Sequence, residues 1–313
     1  MYTCIHRLRK AGEYEEWSIE MIDMKKIVAT GAIASAAVCV ESIRERKQFH
    51  VTHYDLETSK MKAGSGEVTL VFLSDLHDRI YGANNDILIR AIADTEPDVI
   101  LIGGDMLIGK RDRLPKPALT FVRKLPKIAP TYYSNGNHEQ RMKENTQKYG
   151  NVFFRYQKKL LEADVHFLEN DSAEFTKNGL RIMLTGLELP MKTYEKFHHS
   201  QVSGTDVAKQ VGTAAEGCYH ILLAHNPAYF EGYKEWGADL VLSGHLHGGI
   251  VRVPGWRGCI TPQAFLFPKY SGEMTTEEES TIIVSKGLGT HTINLRLFNY
   301  PEVIVLHIRG TKK

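Results

Sequence analysis

Residues 68–77 read VTLVFLSDLH, and this stretch decides the fold class. Val68 to Leu73 form an uninterrupted run of β-branched and apolar residues, which is typical of a strand buried on both faces. The run stops at two residues that carry chemistry, Asp75 and His77. We therefore expect an α/β protein in which functional side chains follow buried strands.

The same pattern recurs four times further along the chain. Buried strands are predicted at Asp98–Ile102, Thr131–Ser134, Tyr219–Ala224 and Asp239–Ser243. They are followed by Asp105, by Asn137 and His138, by His225, and by His245 and His247. Helical periodicity separates them at Asn84–Ala93, Ala118–Leu125, Phe153–Glu162, Thr205–Ala214 and Tyr229–Trp236. Because sites in open α/β sheets form outside the carboxyl ends of strands, we expect these polar residues to converge.

The residue types in these clusters indicate a metal site. Oxygen donors are Asp75, Asp105 and Asn137, and imidazole donors besides His138 are His77, His225, His245 and His247. A nitrogen and oxygen set without thiolate fits Mn²⁺, Fe, Zn²⁺ or Co²⁺. Seven ligands exceed what one catalytic ion with open positions needs, and two-metal sites commonly hydrolyse phosphate esters. Asp105 is the expected shared ligand, since Gly103 and Gly104 before it allow a close approach of the backbone.

Most of the clusters, taken singly, also have a simpler explanation. Asp75-Leu76-His77 fits a strand-end cap, and Gly103-Gly104-Asp105 fits a turn. Asn135–His138 fits a type I′ turn, and His225 fits a core histidine. Five such clusters in order, each after a buried strand, favour the metal site.

Composition excludes several classes of protein. Apolar residues make up 42% and charged residues 24%, as in ordinary globular proteins. The 39 basic and 37 acidic residues leave a net charge of +2, so no nucleic-acid partner is expected. Four scattered cysteines indicate neither a disulfide framework nor a structural zinc site.

Residues 1–47 are predicted to be an N-terminal extension. Within it, Ile27–Val40 is uncharged and follows Lys25 and Lys26. This run is shorter than the roughly 20 residues of a membrane span, but it fits the roughly 7–15 residues of a signal-peptide core, particularly if translation starts at Met24. It is interpreted as a signal or an anchor, and the alternative is a small buried or amphipathic helix. The protein is thus expected to be membrane-associated or exported, with a cytoplasmic location as the alternative.

The rest of the chain divides into two predicted parts. Residues 48–66 are polar and fit a linker or an edge strand. Residues 67–310 are predicted to form the catalytic domain.

The motif series DLH, GGD, GNHE, a single histidine and GHLHGG resembles the calcineurin-like metallophosphoesterase superfamily, from Val68 to Ile308. The resemblance implies a four-layer α/β/β/α sandwich of two mixed sheets with a dimetal centre at the strand ends. It implies that one metal is held by Asp75, His77 and His247, and the other by Asn137, His225 and His245, with Asp105 as the bridge. It also implies that His138 is the catalytic residue beside the scissile phosphate.

A second resemblance concerns the C-terminal part. It is similar to a bacterial branch of membrane-associated or exported phosphodiesterases related to UDP-2,3-diacylglucosamine pyrophosphatases. The similarity is carried by 267–270 (FPKY), 285–289 (SKGLG), Arg296, and Pro301-Glu302. Ile250 and Lys286 depart from that branch, which often has Gln and Arg there, and neither is a predicted ligand.

The expected function is therefore that of a dimetal-dependent phosphoesterase. It would hydrolyse a phosphodiester, pyrophosphate or phosphomonoester bond by direct attack of a metal-bridging hydroxide. The expected cofactors are two divalent ions, namely Mn²⁺, Fe²⁺/Fe³⁺ or Zn²⁺, and the substrate would be a small or lipid-linked phosphoester. The alternatives are a catalytically silent interaction scaffold, or a nuclease, which would need a basic groove with stacking aromatics. The insert Met191–Val202 fits either a lid or a solvated loop.

Overall fold

The computed structural model describes residues 24–111, 113–195, 201–249, 252, 258, 268–290 and 295–311. The chain divides into two compact units, Met1–Val40 and Glu41–Lys313. The larger unit therefore begins inside the stretch predicted as an extension.

The described part of the smaller unit is helical. It belongs to helix α1 (Met24–Arg46), whose last turn carries Arg44 and Arg46. The side chains of Val28, Ile33 and Val40 are exposed. Within the described ranges, none of the helices combines the length and the apolar character needed to cross a membrane.

The first sheet has six strands among the described residues. They are β1 (His50–Thr58), β2 (Glu67–Leu73), β3 (Val99–Ile102), β4 (Thr131–Tyr133), β5 (Val165–Phe167) and β12 (Glu302–Gly310). Their order in space is β1-β12-β2-β3-β4-β5. Strands β2 to β5 are parallel, β12 is antiparallel to β2, and β1 is parallel to β12 at the edge. The stretch 48–66 thus contains an edge strand.

The second sheet also has six strands in the described part of the chain. They are β6 (Asp171–Lys177), β7 (Leu180–Leu187), β8 (Tyr219–Ala224), β9 (Leu240–Ser243), β10 (Met274–Glu277) and β11 (Ser280–Val284). Their order is β10-β11-β9-β8-β7-β6, with antiparallel pairs at both edges. The hairpin between β6 and β7 turns at Asn178 and Gly179, whose φ angles of 50° and 77° are those of a type I′ turn.

Three apolar clusters define the layers. The remaining helices are α2 (Asp86–Ala93), α3 (Lys116–Val122), α4 (Asn137–Glu144), α5 (Thr146–Tyr149), α6 (Val152–Leu161), α7 (Gly204–Val211) and α8 (Phe230–Trp236). Val71 packs with residues of α2, α3 and α6 on one face of the first sheet, whereas Phe72 packs into the cluster between the sheets. The third cluster joins α7 and α8 to the second sheet. The fold is therefore the α/β/β/α sandwich of two mixed sheets that was predicted.

The five buried strands predicted from sequence are confirmed as β2, β3, β4, β8 and β9. Strands β5 and β10 and helices α4 and α5 were not predicted. Strand β5 is only three residues long, and α4 has a mean hydropathy too low to show an apolar face in sequence.

Candidate metal centre

The predicted ligands sit on unusual backbone. Positive φ angles occur at Asp75 (53°), His77 (47°), Asp105 (54°), His245 (68°) and His247 (50°). The left-handed region is uncommon for residues other than glycine and costs on the order of 1–3 kcal/mol each, so it persists only where the surroundings impose it. Such strain clusters at functional sites.

The first half of the centre contains Asp75, His77 and His247. The Oδ1 atom of Asp75 lies 3.7 Å from His77 Nε2 and 3.3 Å from His247 Nε2. The two Nε2 atoms are 3.1 Å apart. These three side chains form one of the groups whose donor atoms lie close enough together to hold a metal ion.

Asp105 lies between the first half and the second. Its Oδ2 atom is 3.9 Å from His77 Nε2 and 3.3 Å from His225 Nε2. Asp75 also approaches His225, with 3.9 Å between Oδ1 and Nε2. Asp75, Asp105 and His225 accordingly form a second group with the spacing of metal ligands.

The second half brings His225 together with His245 and Asn137. The rings of His225 and His245 have centroids 5.4 Å apart. His225 Nδ1 lies 2.7 Å from the Gly103 carbonyl oxygen and donates to it, which leaves Nε2 as the nitrogen that faces Asp105. Among the described residues, no hydrogen-bond partner faces Asn137 Oδ1, His225 Nε2 or His245 Nε2, although all three atoms are buried.

Buried polar atoms without a partner lower the stability of a fold, and a bound cation would give these three atoms a partner. The residues present therefore fit a dinuclear site for divalent metal ions.

The two ionised carboxylates of the centre favour cations. Although burial opposes ionisation, His247 and His225 respectively help to hold the pKa values of Asp75 and Asp105 below the usual range. Burial by itself would lower the pKa of His225, but the Asp105 and Asp75 carboxylates together outweigh it and raise that pKa to about 10, so a bound cation would have to displace the Nε2 proton. Burial and the neighbouring His225 lower the pKa of His245 to about 3, so this ring is neutral, as a metal ligand must be.

His138 adjoins both halves of this arrangement. Its backbone N–H donates to Asp105 Oδ1 at 2.8 Å. Its ring stands edge-on to the His77 ring at 5.0 Å between centroids. With His77 and Asp105 it forms a third group of metal-ligand spacing. The geometry is thus compatible with the predicted catalytic role and also with ligation.

This geometry agrees with a sequence comparison against protein families. The family model described as calcineurin-like phosphoesterase matches residues 68–249, more than half of the chain. The chain belongs to the calcineurin-like phosphoesterase family. It is accordingly a metal-dependent phosphoester hydrolase.

Individual relatives and solved structures share less than a third of their residues with this chain. The uncharacterized protein YpbG of Bacillus subtilis (strain 168) is 27% identical over 293 residues, which cover 91% of this chain and 97% of that protein. A Bos taurus transmembrane protein with a metallophosphoesterase domain is 27% identical over 83% of this chain and 57% of its own length. The crystal structure of the calcineurin-like phosphoesterase YfkN from Bacillus subtilis is similar with a TM-score of 0.45 and 15% identity, over 71% of this chain and 82% of that one.

Glycines bring two loops of this phosphoesterase into direct contact. Gly104 has a φ of 87°, and a Cβ atom there would lie 2.0 Å from Gly136 N. A Cβ on Gly136 would lie 2.3 Å from Asp105 Oδ1. The glycine pair before Asp105 was predicted to admit the metals. The close approach that the structure shows at Gly104 is to the loop that precedes Asn137.

Glu139 supports the same two loops from beneath. Its buried carboxylate accepts hydrogen bonds from the backbone N–H groups of Asp105 (2.8 Å), Met106 (3.0 Å) and Gly136 (3.2 Å) and from the Tyr133 hydroxyl (2.8 Å). Burial and the nearby Asp105 carboxylate raise the pKa of Glu139 to about 7. No role was predicted for Glu139, although its position three residues after Gly136 is that of the glutamate in a capping box, whose carboxylate accepts from the N-cap N–H.

A buried arginine shapes the loop beside His247. The Arg296 guanidinium donates to the carbonyl oxygens of Lys286 (2.7 Å), Gly287 (3.1 Å) and Gly289 (2.5 Å). The Gly289 carbonyl lies 3.3 Å from His247 Nδ1, which leaves Nε2 turned toward Asp75. Arg296 was singled out in the sequence only for its resemblance to one branch. Its contacts give it a structural role in orienting a predicted ligand.

Some residues that the sequence patterns singled out lie outside the described ranges. These are Ile250, Phe267 and residues 196–200 of the insert. The described end of that insert, the 3-10 turn Met191–Tyr194, contacts helix α4.

Proposed function

We propose that this phosphoesterase hydrolyses a phosphodiester, pyrophosphate or phosphomonoester bond by direct attack of water on phosphorus, at a centre of two divalent cations. The position of Asp105 Oδ2, 3.9 Å from His77 Nε2 and 3.3 Å from His225 Nε2, carries this proposal. One carboxylate oxygen near both sets of nitrogen donors supports a ligand shared between two ions.

The donor sets support a specific allocation. Asp75, His77 and His247 would hold one cation. Asn137, His225 and His245 would hold the other, and Asp105 would bind both. Because the set contains nitrogen and oxygen but no sulfur, Mn²⁺, Fe or Zn²⁺ suits it, and we take Mn²⁺ as the first cation to test.

When bound, the cations supply positive charge against the phosphoryl oxygens and lower the pKa of water in the site. The chain itself contributes His138, whose backbone is fixed to Asp105. Its ring would donate a proton to the leaving alkoxide or stabilise charge on the phosphoryl group.

The two serines that precede predicted ligands both use their hydroxyls in hydrogen bonds within the protein. Ser74 Oγ donates to the Asp75 carboxylate, and Ser243 Oγ donates to the Ala224 carbonyl at 2.6 Å. Both hydroxyls therefore serve to hold the strand ends. This supports attack by water and not by a serine nucleophile.

We also propose that the substrate is lipid-linked and that the protein associates with a membrane through α1. Exposed apolar side chains on α1 and the arginines of its last turn support contact with a bilayer surface. The bovine relative, whose name describes a transmembrane protein, is consistent with this.

The proposal is tested by removing the metal and restoring it. Chelator-treated protein should lose hydrolysis of bis(p-nitrophenyl) phosphate, p-nitrophenyl phosphate or a UDP-linked lipid, and Mn²⁺ should restore it with two ions bound per chain. Asp105→Ala should lose metal and activity, whereas Asp206→Asn, in the first turn of α7, should keep both. Full activity with one ion or none would exclude the two-metal mechanism.

A further inference from the structure

Tyr194 stands beside the second half of the metal centre. It ends the 3-10 turn Met191–Tyr194. Its ring is edge-on to the His245 ring, with 5.2 Å between centroids and an interplanar angle of 79°, and lies 6.2 Å from the His225 ring. An aromatic side chain thus contacts both predicted imidazole ligands of one cation.

The turn that carries Tyr194 is fixed to the segment that carries His225. The Thr193 carbonyl oxygen accepts from Asn226 Nδ2 at 3.1 Å and from the Tyr229 hydroxyl at 3.0 Å. Thr193 N–H donates to the Pro190 carbonyl at 2.9 Å. Because these bonds involve the buried Thr193, the backbone beside Tyr194 is fixed. A residue that binds substrate needs such support.

The hydroxyl of Tyr194 differs from the hydroxyls of two neighbouring tyrosines. Its neighbours Tyr229 and Tyr233 donate to the carbonyls of Thr193 and Asn226, at 3.0 and 2.8 Å. In the part of the chain that the structure describes, the Tyr194 hydroxyl has no such bond. The hydroxyl is therefore available as a donor, on a ring that contacts His225 and His245.

We propose that Tyr194 is a substrate-binding residue, whose hydroxyl donates a hydrogen bond to a non-bridging phosphoryl oxygen of substrate and product. This inference rests on the proposed function, because it assumes that a phosphoryl group occupies the centre. A neutral donor beside the cations adds a directional contact to their attraction, and a hydrogen bond to a charged acceptor is stronger than one between neutral groups.

The test compares Tyr194→Phe with Tyr132→Phe, both measured in the full-length, Mn²⁺-loaded protein. Tyr132 is a matched control, since it is half-buried and its ring stacks on His166 at the same 5.2 Å between centroids. The measurements are bound Mn²⁺, kcat and KM for bis(p-nitrophenyl) phosphate, and the inhibition and dissociation constants of inorganic phosphate.

Tyr194→Phe should keep both ions, lower kcat/KM about tenfold and weaken phosphate binding about tenfold, the usual scale for a hydrogen bond to a charged group. Tyr132→Phe should match the wild type. Unchanged phosphate affinity in Tyr194→Phe, or loss of Mn²⁺ from it, would overturn the assignment. If the wild type hydrolyses no ester, the proposed function fails, and direct phosphate binding still decides the role of Tyr194.

Discussion

The carboxylate of Glu45 accepts a 3.1 Å hydrogen bond from the backbone N–H of Asn299, and Asn299 in turn holds the loop of His247. The Asn299 side-chain amide donates to the carbonyl oxygens of His247 (2.7 Å) and Gly249 (2.6 Å). Glu45 also accepts from Phe298 N–H at 2.8 Å and is fully buried. The last turn of α1 is therefore part of the support of a predicted metal ligand.

Glu45→Ala should weaken both the fold and the first half of the metal centre. Two buried N–H groups would lose their acceptor, so we expect a loss of about 1–3 kcal/mol in the free energy of unfolding. We also expect weaker Mn²⁺ binding, because the His247 loop loses its support. Denaturant unfolding with and without Mn²⁺, together with metal titration, measures both effects.

The matched control is Glu41→Ala, one turn earlier on the same helix. Glu41 pairs with Arg44 near the surface, and such pairs contribute about 0–1 kcal/mol. Equal effects of the two substitutions would show that the link from Glu45 through Asn299 does not support the site.

Substitution of His138 separates catalysis from ligation. His138→Ala should keep both ions and lower kcat by about 10²–10⁴, the usual contribution of a general acid or base. Asp105→Ala should lose metal and activity together. Metal content and kcat, measured for both variants, distinguish the two roles. Loss of an ion from His138→Ala would mean that His138 is a metal ligand together with His77 and Asp105.

Much of the fold and of the centre could be predicted because the signals were local. The run Val68–Leu73 shows a doubly buried strand without any tertiary information, and the residues after such strands must meet at one edge. Glu45, Asn299 and Arg296 could not be found this way. They act through backbone groups distant in sequence, and nothing in the residue types shows which carbonyl or N–H they will meet.

Gly136→Ala should damage the centre without straining the backbone. Gly136 has a φ of −92°, which any residue adopts, but its new Cβ would lie 2.3 Å from Asp105 Oδ1 and 2.6 Å from Asp105 N. Asp105 would have to move, so we expect weaker Mn²⁺ binding and a fall in kcat.

Gly31→Ala is the control for a glycine that is not needed. Apart from its chain neighbours and the backbone of its own helix, no atom of the described residues lies within 4 Å of a Cβ at Gly31, and alanine in a helix is favoured over glycine by about 1 kcal/mol. It should bind Mn²⁺ normally. Normal metal content in Gly136→Ala as well would mean that the two loops adjust to each other freely.

The role of α1 in location is best tested by a chain that begins at Glu41. A start at Gln48 would also remove Ser42, which accepts from Arg296 N–H at 3.2 Å, and Glu45, so a change in solubility could come from a damaged domain. The Glu41 start keeps these contacts and removes the apolar run Ile27–Val40.

We expect the full chain to sediment in part with membranes and the shortened chain to stay in the supernatant with its Mn²⁺-dependent activity intact. The physical reason is that the fourteen residues of that run bury too little apolar surface for a full span but enough to add to the attraction of the basic flanks for a bilayer. Equal distribution of the two chains between membrane and supernatant would rule out membrane association through α1.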